Sequence, residues 1–219
     1  VLRTDADGAA RLTDSQKVSG DPFYTNSAGV PVLPLGTVTI QETNPAAGYL
    51  INDTVYVRKI TSEGSEENVQ TYREVQVPEQ VIRGDLRLVK FLGDLEEGQD
   101  QKTPLEGIIF EITSKTTGET VEIVTDENGY ASTEQLGHER GGLAYDTYTV
   151  HEKNTPPGLV QVKDFEIIVS REGQTLYYIL EDKTVVSPVR LVKTDGTSGR
   201  TIPAANTKFR LLDEEKNVI

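Results

Sequence analysis

"YDTYTVHEK", residues 145–153, alternates as a β-strand does, and the alternation ends on a charge. Tyr148 and Val150 point to one face and Thr149 and His151 to the other, because successive side chains of a strand alternate. Glu152 continues the apolar row. Two more runs repeat the oddity. "LRLVK" carries Lys90 on the face of Leu86 and Leu88, and "YYILED" carries Asp182 on the face of Tyr178 and Leu180. Three strands thus each lead an ionisable group inward.

Working outward, the rest of the chain has the same β character. Short runs rich in valine, threonine, isoleucine and tyrosine are punctuated by 19 glycines and 10 prolines. No stretch sustains a 3.6-residue period, so the class is all-β. The net charge of −13 repels phosphate, which argues against nucleic acid or an anionic membrane surface as partner. With 0 cysteines there is no disulfide, thiolate metal site or cysteine nucleophile. No apolar run is long enough to span a bilayer. The chain begins at Val1 in mid-pattern and reads as a window cut from a longer polypeptide, with export and anchoring signals outside it.

The sequence repeats itself, and the repeats set the expected domain count. "TIQETNPAAGYL" from Thr39 matches "TVHEKNTPPGLV" from Thr149, with Glu42 on Glu152, Asn44 on Asn154 and Gly48 on Gly158. "TDADG" at Thr4 matches "TDENG" at Thr125, both Asp/Asn-Gly turns between short strands. "DLRLVKF" around Lys90 matches "PVRLVKT" around Lys193, and the same register sets Glu79 opposite Asp182. These alignments predict one complete unit at 83–187, the later part of a preceding unit at 1–82 and the opening of a following unit at 188–219. The joints are too short to be flexible linkers, so the units should follow one another stiffly. The partial units leave open sheet edges that need a partner. They are also complementary, since one supplies early strands and the other late ones. The complete unit reads as seven strands near 85–91, 107–114, 119–124, 130–135, 145–153, 162–170 and 174–182, an antiparallel β-sandwich with first strand beside last.

If those two strands are neighbours, Lys90, Glu152 and Asp182 meet in the core. One reading is a structural ion pair. The other is chemical. Burial lowers the pKa of an amine and raises that of a carboxylic acid. A neutral amine beside a protonated carboxyl is poised to attack the carboxyl carbon, with a second acid to shuttle protons. The product is a Lys–Asp amide and a water.

"LRLVKF", "TPLEGIIFEI", "TDENGYAS", "YTVHEKNTPPGL" and "LEDK" together resemble the Cna B-type, or SpaA-type, prealbumin-like repeat domains of Gram-positive surface adhesins and pilins. The resemblance implies tandem β-sandwiches in which the first-strand lysine forms an isopeptide bond to an Asn or Asp of the last strand, promoted by a glutamate. Carried over, Lys90 is the nucleophile, Asp182 the acceptor and Glu152 the catalytic acid. Asp182 departs from the commoner Asn. Glu42, Glu79 and Lys193 are the equivalents in the partial units, and Glu79 departs further as a longer acid.

Other motifs weigh less. "RGD" at Arg83–Asp85 is an integrin tripeptide or a chance turn in a joint, and its abutment on a strand favours the latter. "TDADG" lacks the later ligands of a calcium loop. The acidic loop 93–101 reads as solvated. His138 and His151 build neither a triad nor a metal site, and the absence of tryptophan, a common sugar platform, and of an aromatic-rich cleft signal argues against a glycosidase. The reading is therefore a structural segment of a bacterial cell-surface stalk or pilus protein, extracellular and attached to the wall. It is not an enzyme on external substrates and needs no cofactor or metal. Neighbouring repeats, other pilus subunits or host extracellular matrix are its expected partners. The alternative is a non-covalent β-sandwich module that binds carbohydrate or host matrix protein.

Overall fold

The computed structural model describes residues 1–60, 75–94, 98, 101–186, 190–203, 205–212 and 215–218. Part of the acidic loop 93–101 and the whole junction 187–189 lie outside these residues.

The N-terminal segment holds short strands: β1 (Tyr24–Thr25), β2 (Pro31–Val32), β3 (Gly36–Ile40), β4 (Tyr49–Leu50), β5 (Tyr56–Ile60) and β6 (Gln80–Val81). The middle segment holds β7 (Arg83–Leu92), β8 (Ile109–Ser114), β9 (Thr120–Val124), β10 (Tyr130–Ser132), β11 (Leu143–Ala144), β12 (Asp146–Glu152), β13 (Leu159–Val160), β14 (Phe165–Val169) and β15 (Gln174–Thr184). These nine strands make two sheets, β10-β7-β15-β13 with β11 also on β7, and β14-β12-β8-β9.

The two sheets close on an apolar core. Leu86 and Leu88 of β7 and Leu180 of β15 face Phe110 and Ile112 of β8, Tyr148 and Val150 of β12, and Ile167 and Val169 of β14. Each such side chain contributes roughly 1.5–3 kcal/mol on burial. Among the described residues, every buried hydrophobic lies between Leu86 and Leu180. The described residues of the flanking segments contribute no buried hydrophobic side chain.

Strand phase follows the sequence alternation closely. In β7 the even-numbered residues from Gly84 to Lys90 are buried, and in β12 Tyr148, Val150 and Glu152 are. Three details differ from a seven-strand antiparallel reading. First, β7 and β15 lie side by side but run parallel, with Leu86 opposite Leu176 and Lys90 opposite Leu180. Other pairings in the two sheets are antiparallel. Second, the strand expected at 130–135 stops at Ser132, and Thr133–Leu136 turn into a 3-10 helix closed by Gly137 at φ 75°. The turn delivers Thr133 Oγ1 to the backbone N–H of Leu86 at 2.9 Å and to Asp85 at 2.8 Å, and neither polar group is left unpaired in the core. Third, the strand expected from 162 starts at Phe165, because the Val162 N–H is committed to Glu152.

The RGD tripeptide is built into β7. Arg83 donates to the carbonyls of Gly141 and Gly142, Asp85 accepts from Thr133 and Gly142, and Gly84 is buried. Its charged groups serve the fold. Arg140 holds the joint just before it, donating to Gln80, to the Val81 carbonyl and to Glu172.

Elements of the N-terminal segment copy those of the middle one. β3 pairs antiparallel with β5 as β12 does with β14, and β4 pairs with β6 as β13 does with β15. Asp5 Oδ1 accepts from the N–H groups of Asp7 and Ala9, as Asp126 Oδ1 does from Asn128 and Tyr130. Both "TD" segments are therefore turns organised by their own aspartate. Among the described residues, no strand pairing joins the N-terminal segment to residues 190–218.

The second of these turns braces Lys90. Gly129 has φ 71°, and a Cβ there would stand 2.3 Å from the Lys90 carbonyl oxygen. Its own carbonyl accepts the Lys90 N–H at 2.8 Å. Gly129→Ala should destabilise the middle segment by about 1–3 kcal/mol, seen as a lower Tm in scanning calorimetry. An unchanged Tm would contradict this close approach.

Candidate functional site

The site lies between the sheets. β7 presents Lys90, the neighbouring β15 presents Asp182, and β12 presents Glu152 from the opposite sheet. Lys90 and Asp182 are two register positions apart across the parallel pair, since Lys90 lies opposite Leu180. All three groups are sealed from solvent, with Lys90 at 0%, Asp182 at 0% and Glu152 at 2% exposure.

The Lys90 Nζ donates to Asp182 Oδ1 at 2.5 Å and to Glu152 Oε2 at 2.7 Å. It also lies 5.8 Å from the centroid of the Phe110 ring, whose electron-rich face favours a cation. Glu152 is fixed by three further bonds. Its Oε2 accepts from the Val162 N–H at 3.2 Å, its Oε1 from Thr155 Oγ1 at 3.1 Å, and its backbone carbonyl from the Gln161 side chain. Asp182 differs, since its Oδ2 is buried with no partner among the described residues.

The electrostatics are lopsided. One cation faces two carboxylates, and burying an unmatched charge costs several kcal/mol. Burial raises the pKa of Asp182, which Lys90 opposes and Glu152 reinforces. Burial thus favours the protonated form of the Asp182 carboxyl. The cluster contains an amine, a carboxyl carbon next to it and a second acid on the same amine. Thr155, Gln161 and Val162 escape a reading of strand phase, because Thr155 lies between β12 and β13 and the other two between β13 and β14, and they act on Glu152 through the fold.

The other candidates stand apart from this cluster. Glu42 and Glu79 come together in the N-terminal segment. Glu42 Oε2 accepts the Asn52 N–H at 2.6 Å, the counterpart of Val162 N–H on Glu152. Partial desolvation and a hydrogen bond with Glu42 hold the Glu79 carboxyl above its ordinary value. Since Glu79 is exposed, the neighbouring acid is the more telling cause. Lys193 is exposed, and its carbonyl accepts the Ile202 N–H at 2.8 Å. His151 pairs on the surface with Asp164 at 2.7 Å. Among the described residues, no group of three or more His, Asp or Glu could hold a metal ion, and no helix is long and apolar enough to cross a membrane.

Two facing sheets with parallel first and last strands, and a lysine and two acids buried between them, define a prealbumin-like β-sandwich. Residues 95–184 match the SpaA family, described as a prealbumin-like fold domain. Among solved structures, the Bacillus anthracis TIE protein aligns at TM-score 0.51 and 23% identity, over 74% of this chain and 28% of its own. The full-length major pilin SpaD from Corynebacterium diphtheriae aligns at TM-score 0.35 and 21% identity, over 47% of this chain and 32% of its own. GBS52, the minor pilin of Streptococcus agalactiae, aligns at TM-score 0.41 and 21% identity, over 52% of this chain and 51% of its own. The chain thus spans from 28% to 51% of these structures. At 23% identity the likeness to the TIE protein is one of fold. No curated protein matches the chain.

The raised pKa of Asp182 sets a pH dependence once its cation is removed. In Lys90→Met, folding must bury Asp182 as the neutral acid, while the unfolded chain ionises near about pH 4. The folded state then binds more protons, so stability is greatest below the unfolded pKa and falls as pH rises toward the folded one. Thermal melts of Lys90→Met should show a lower Tm at pH 7 than at pH 4. A flat or rising profile would remove Asp182 as the titrating group.

Proposed function

We propose that this chain is a load-bearing segment of a Gram-positive cell-surface stalk or pilus protein, tied within its middle unit by an autocatalytic Lys90–Asp182 isopeptide bond. The observation that carries the reading is the dry contact of Lys90 Nζ with Asp182 Oδ1, with Oδ2 unpartnered and Glu152 on the same amine. The amine lone pair attacks Cγ of Asp182, a C–N bond forms, and one carboxyl oxygen leaves with two protons as water. Glu152 takes a proton from the attacking nitrogen and returns one to the departing oxygen. Reaction replaces two buried ionisable groups and an unsatisfied oxygen with a neutral amide, which removes their desolvation cost.

The topology gives the bond a mechanical use. Tension enters at the start of β7 and leaves at the end of β15. With Lys90 joined to Asp182, the load passes along β7, crosses the bond and exits within two residues of the end of β15, Thr184. Residues 91–181 are bypassed and cannot be unzipped by that force. The bond also closes a loop spanning 92 positions, which restricts the unfolded chain by on the order of 4 kcal/mol if it behaves as a disulfide of that length.

On the same reading, 83–187 is a complete unit and 1–82 and 188–219 are parts of its neighbours, supported by the copied pairings and turns. The chain works outside the cell, and its partners are adjoining repeats, other pilus subunits or host matrix. It turns over no external substrate.

Intact-mass spectrometry tests the bond. Wild type should be one water lighter than its sequence, whereas Lys90→Ala, Asp182→Ala and Glu152→Ala should show full mass. Loss of the bond should lower Tm by roughly 15–30 °C, taking 4–8 °C per kcal/mol for a domain of this size. A wild type of full mass would leave the non-covalent binding module as the better reading.

A further inference from the structure

The segment between β12 and β14 ties Glu152 to the strand that carries Asp182. β13 pairs antiparallel with the end of β15, Leu159 opposite Thr184 and Val160 opposite Lys183. The Gly158 carbonyl accepts the Val185 N–H at 2.8 Å. These anchors fall on the three residues that follow Asp182. On either side of β13 the same segment holds the Glu152 carboxyl. Before it, Thr155 Oγ1 donates to Oε1 at 3.1 Å, and after it the Val162 N–H donates to Oε2 at 3.2 Å. Residues 155–162 thus form a strap from Glu152 to the end of β15.

Thr155 is placed by its neighbours. Pro156 biases the residue before it to extended backbone, and Pro156 and Pro157 fix their own φ. A turn follows, with the Leu159 N–H on the Pro156 carbonyl at 3.2 Å and Gly158 at φ 83°. The hydroxyl therefore meets Oε1 with little backbone freedom left to lose. What it controls is the plane of the carboxyl. The terminal torsion of a glutamate is broad, and Lys90 Nζ and the Val162 N–H both bind Oε2. A donor on Oε1 stops the group turning about that contact and keeps Oε2 towards the amine. When Oε2 takes the proton of the attacking nitrogen, Oε1 remains as the carbonyl of the acid and still accepts from Thr155. The hydroxyl therefore holds the acid through both proton transfers and gives up no proton of its own.

We propose that Thr155 is a positioning residue for the condensation of Lys90 with Asp182, and that the strap orients Glu152 as β15 docks. The inference rests on the isopeptide reading and adds to it the group that sets the rate. Because β13 is anchored just beyond Asp182, the strand that brings the acceptor carboxyl also seats the strap that aims the acid. The reaction then starts from a folded site, where the amine, the carboxyl carbon and the proton carrier are in place together.

Timed intact-mass spectrometry tests this on the whole chain. Chains made by cell-free translation are stopped with an inhibitor, quenched in acidic denaturant at successive times and weighed, while resistance to a brief protease pulse reports folding in parallel. Thr155→Val keeps the branched shape and removes the hydroxyl, and Thr155→Ser restores it. Since Thr155 is partly exposed, neither change should alter the folding signal. Thr155→Val should lose its water roughly 3- to 10-fold more slowly than wild type, which is what one hydrogen bond is worth in rate. It should still reach the same final mass, and Thr155→Ser should react close to the wild-type rate. Loss of water from Thr155→Val at the wild-type rate, Thr155→Ser as slow as Thr155→Val, or a protease resistance delayed to the same extent as the mass change would each overturn the proposal and leave the bond itself standing. A wild type that keeps full mass at all times would instead overturn the isopeptide reading.

Discussion

One lysine in a dry core constrains the whole middle segment. Lys90 reaches two carboxylates that come from different sheets, so neither sheet can shift along the other without stranding a charge. At an effective dielectric near 20, a close ion pair offers about 4 kcal/mol, against a desolvation cost of several kcal/mol for each ion. The balance is narrow and holds only if all partners are in register. The surroundings show what that demands. Gly129 lets a turn lie against the Lys90 carbonyl, Thr133 leaves the strand to satisfy Leu86 and Asp85, and the segments either side of β13 bring Thr155 and Val162 to Glu152.

The parallel pairing of β7 with β15 follows from the same constraint and has a mechanical meaning. The strands that receive and release the chain lie together, with Cα partners from Gln174 opposite Gly84 to Asp182 opposite Leu92. Force along the chain shears this seam as a block instead of peeling it pair by pair. The acid-base cluster sits at the far end of the seam from the entry point.

The flanking segments show the same design without closure. Their turns and short pairings copy those of the middle segment, yet among the described residues Leu33, Leu35, Ile51, Leu191 and Phe209 are exposed. Local chemistry is sufficient for an Asx turn, because one aspartate satisfies its own loop. It is not sufficient for a core, which needs the second sheet and the strand that carries the lysine.

That contrast separates what the sequence by itself determined from what the tertiary structure decided. Alternation in "LRLVK", "YTVHE" and "YYILED" determined the all-β class, the inner faces and the inward direction of Lys90, Glu152 and Asp182, because a strand's period of two leaves no other face for them. The internal repeats marked Glu42, Glu79 and Lys193 as their equivalents. Strand phase cannot say which strands lie side by side, which way they run, or where along them the charges meet. The parallel run of β7 and β15, the crossing of Glu152 from the opposite sheet, the early end of β10 and the late start of β14 were all decided in three dimensions. The physical reason is that these features satisfy buried polar groups on residues far apart in the chain, from Leu86 with Thr133 to Lys90 with Asp182, and such debts arise only when the sheets close.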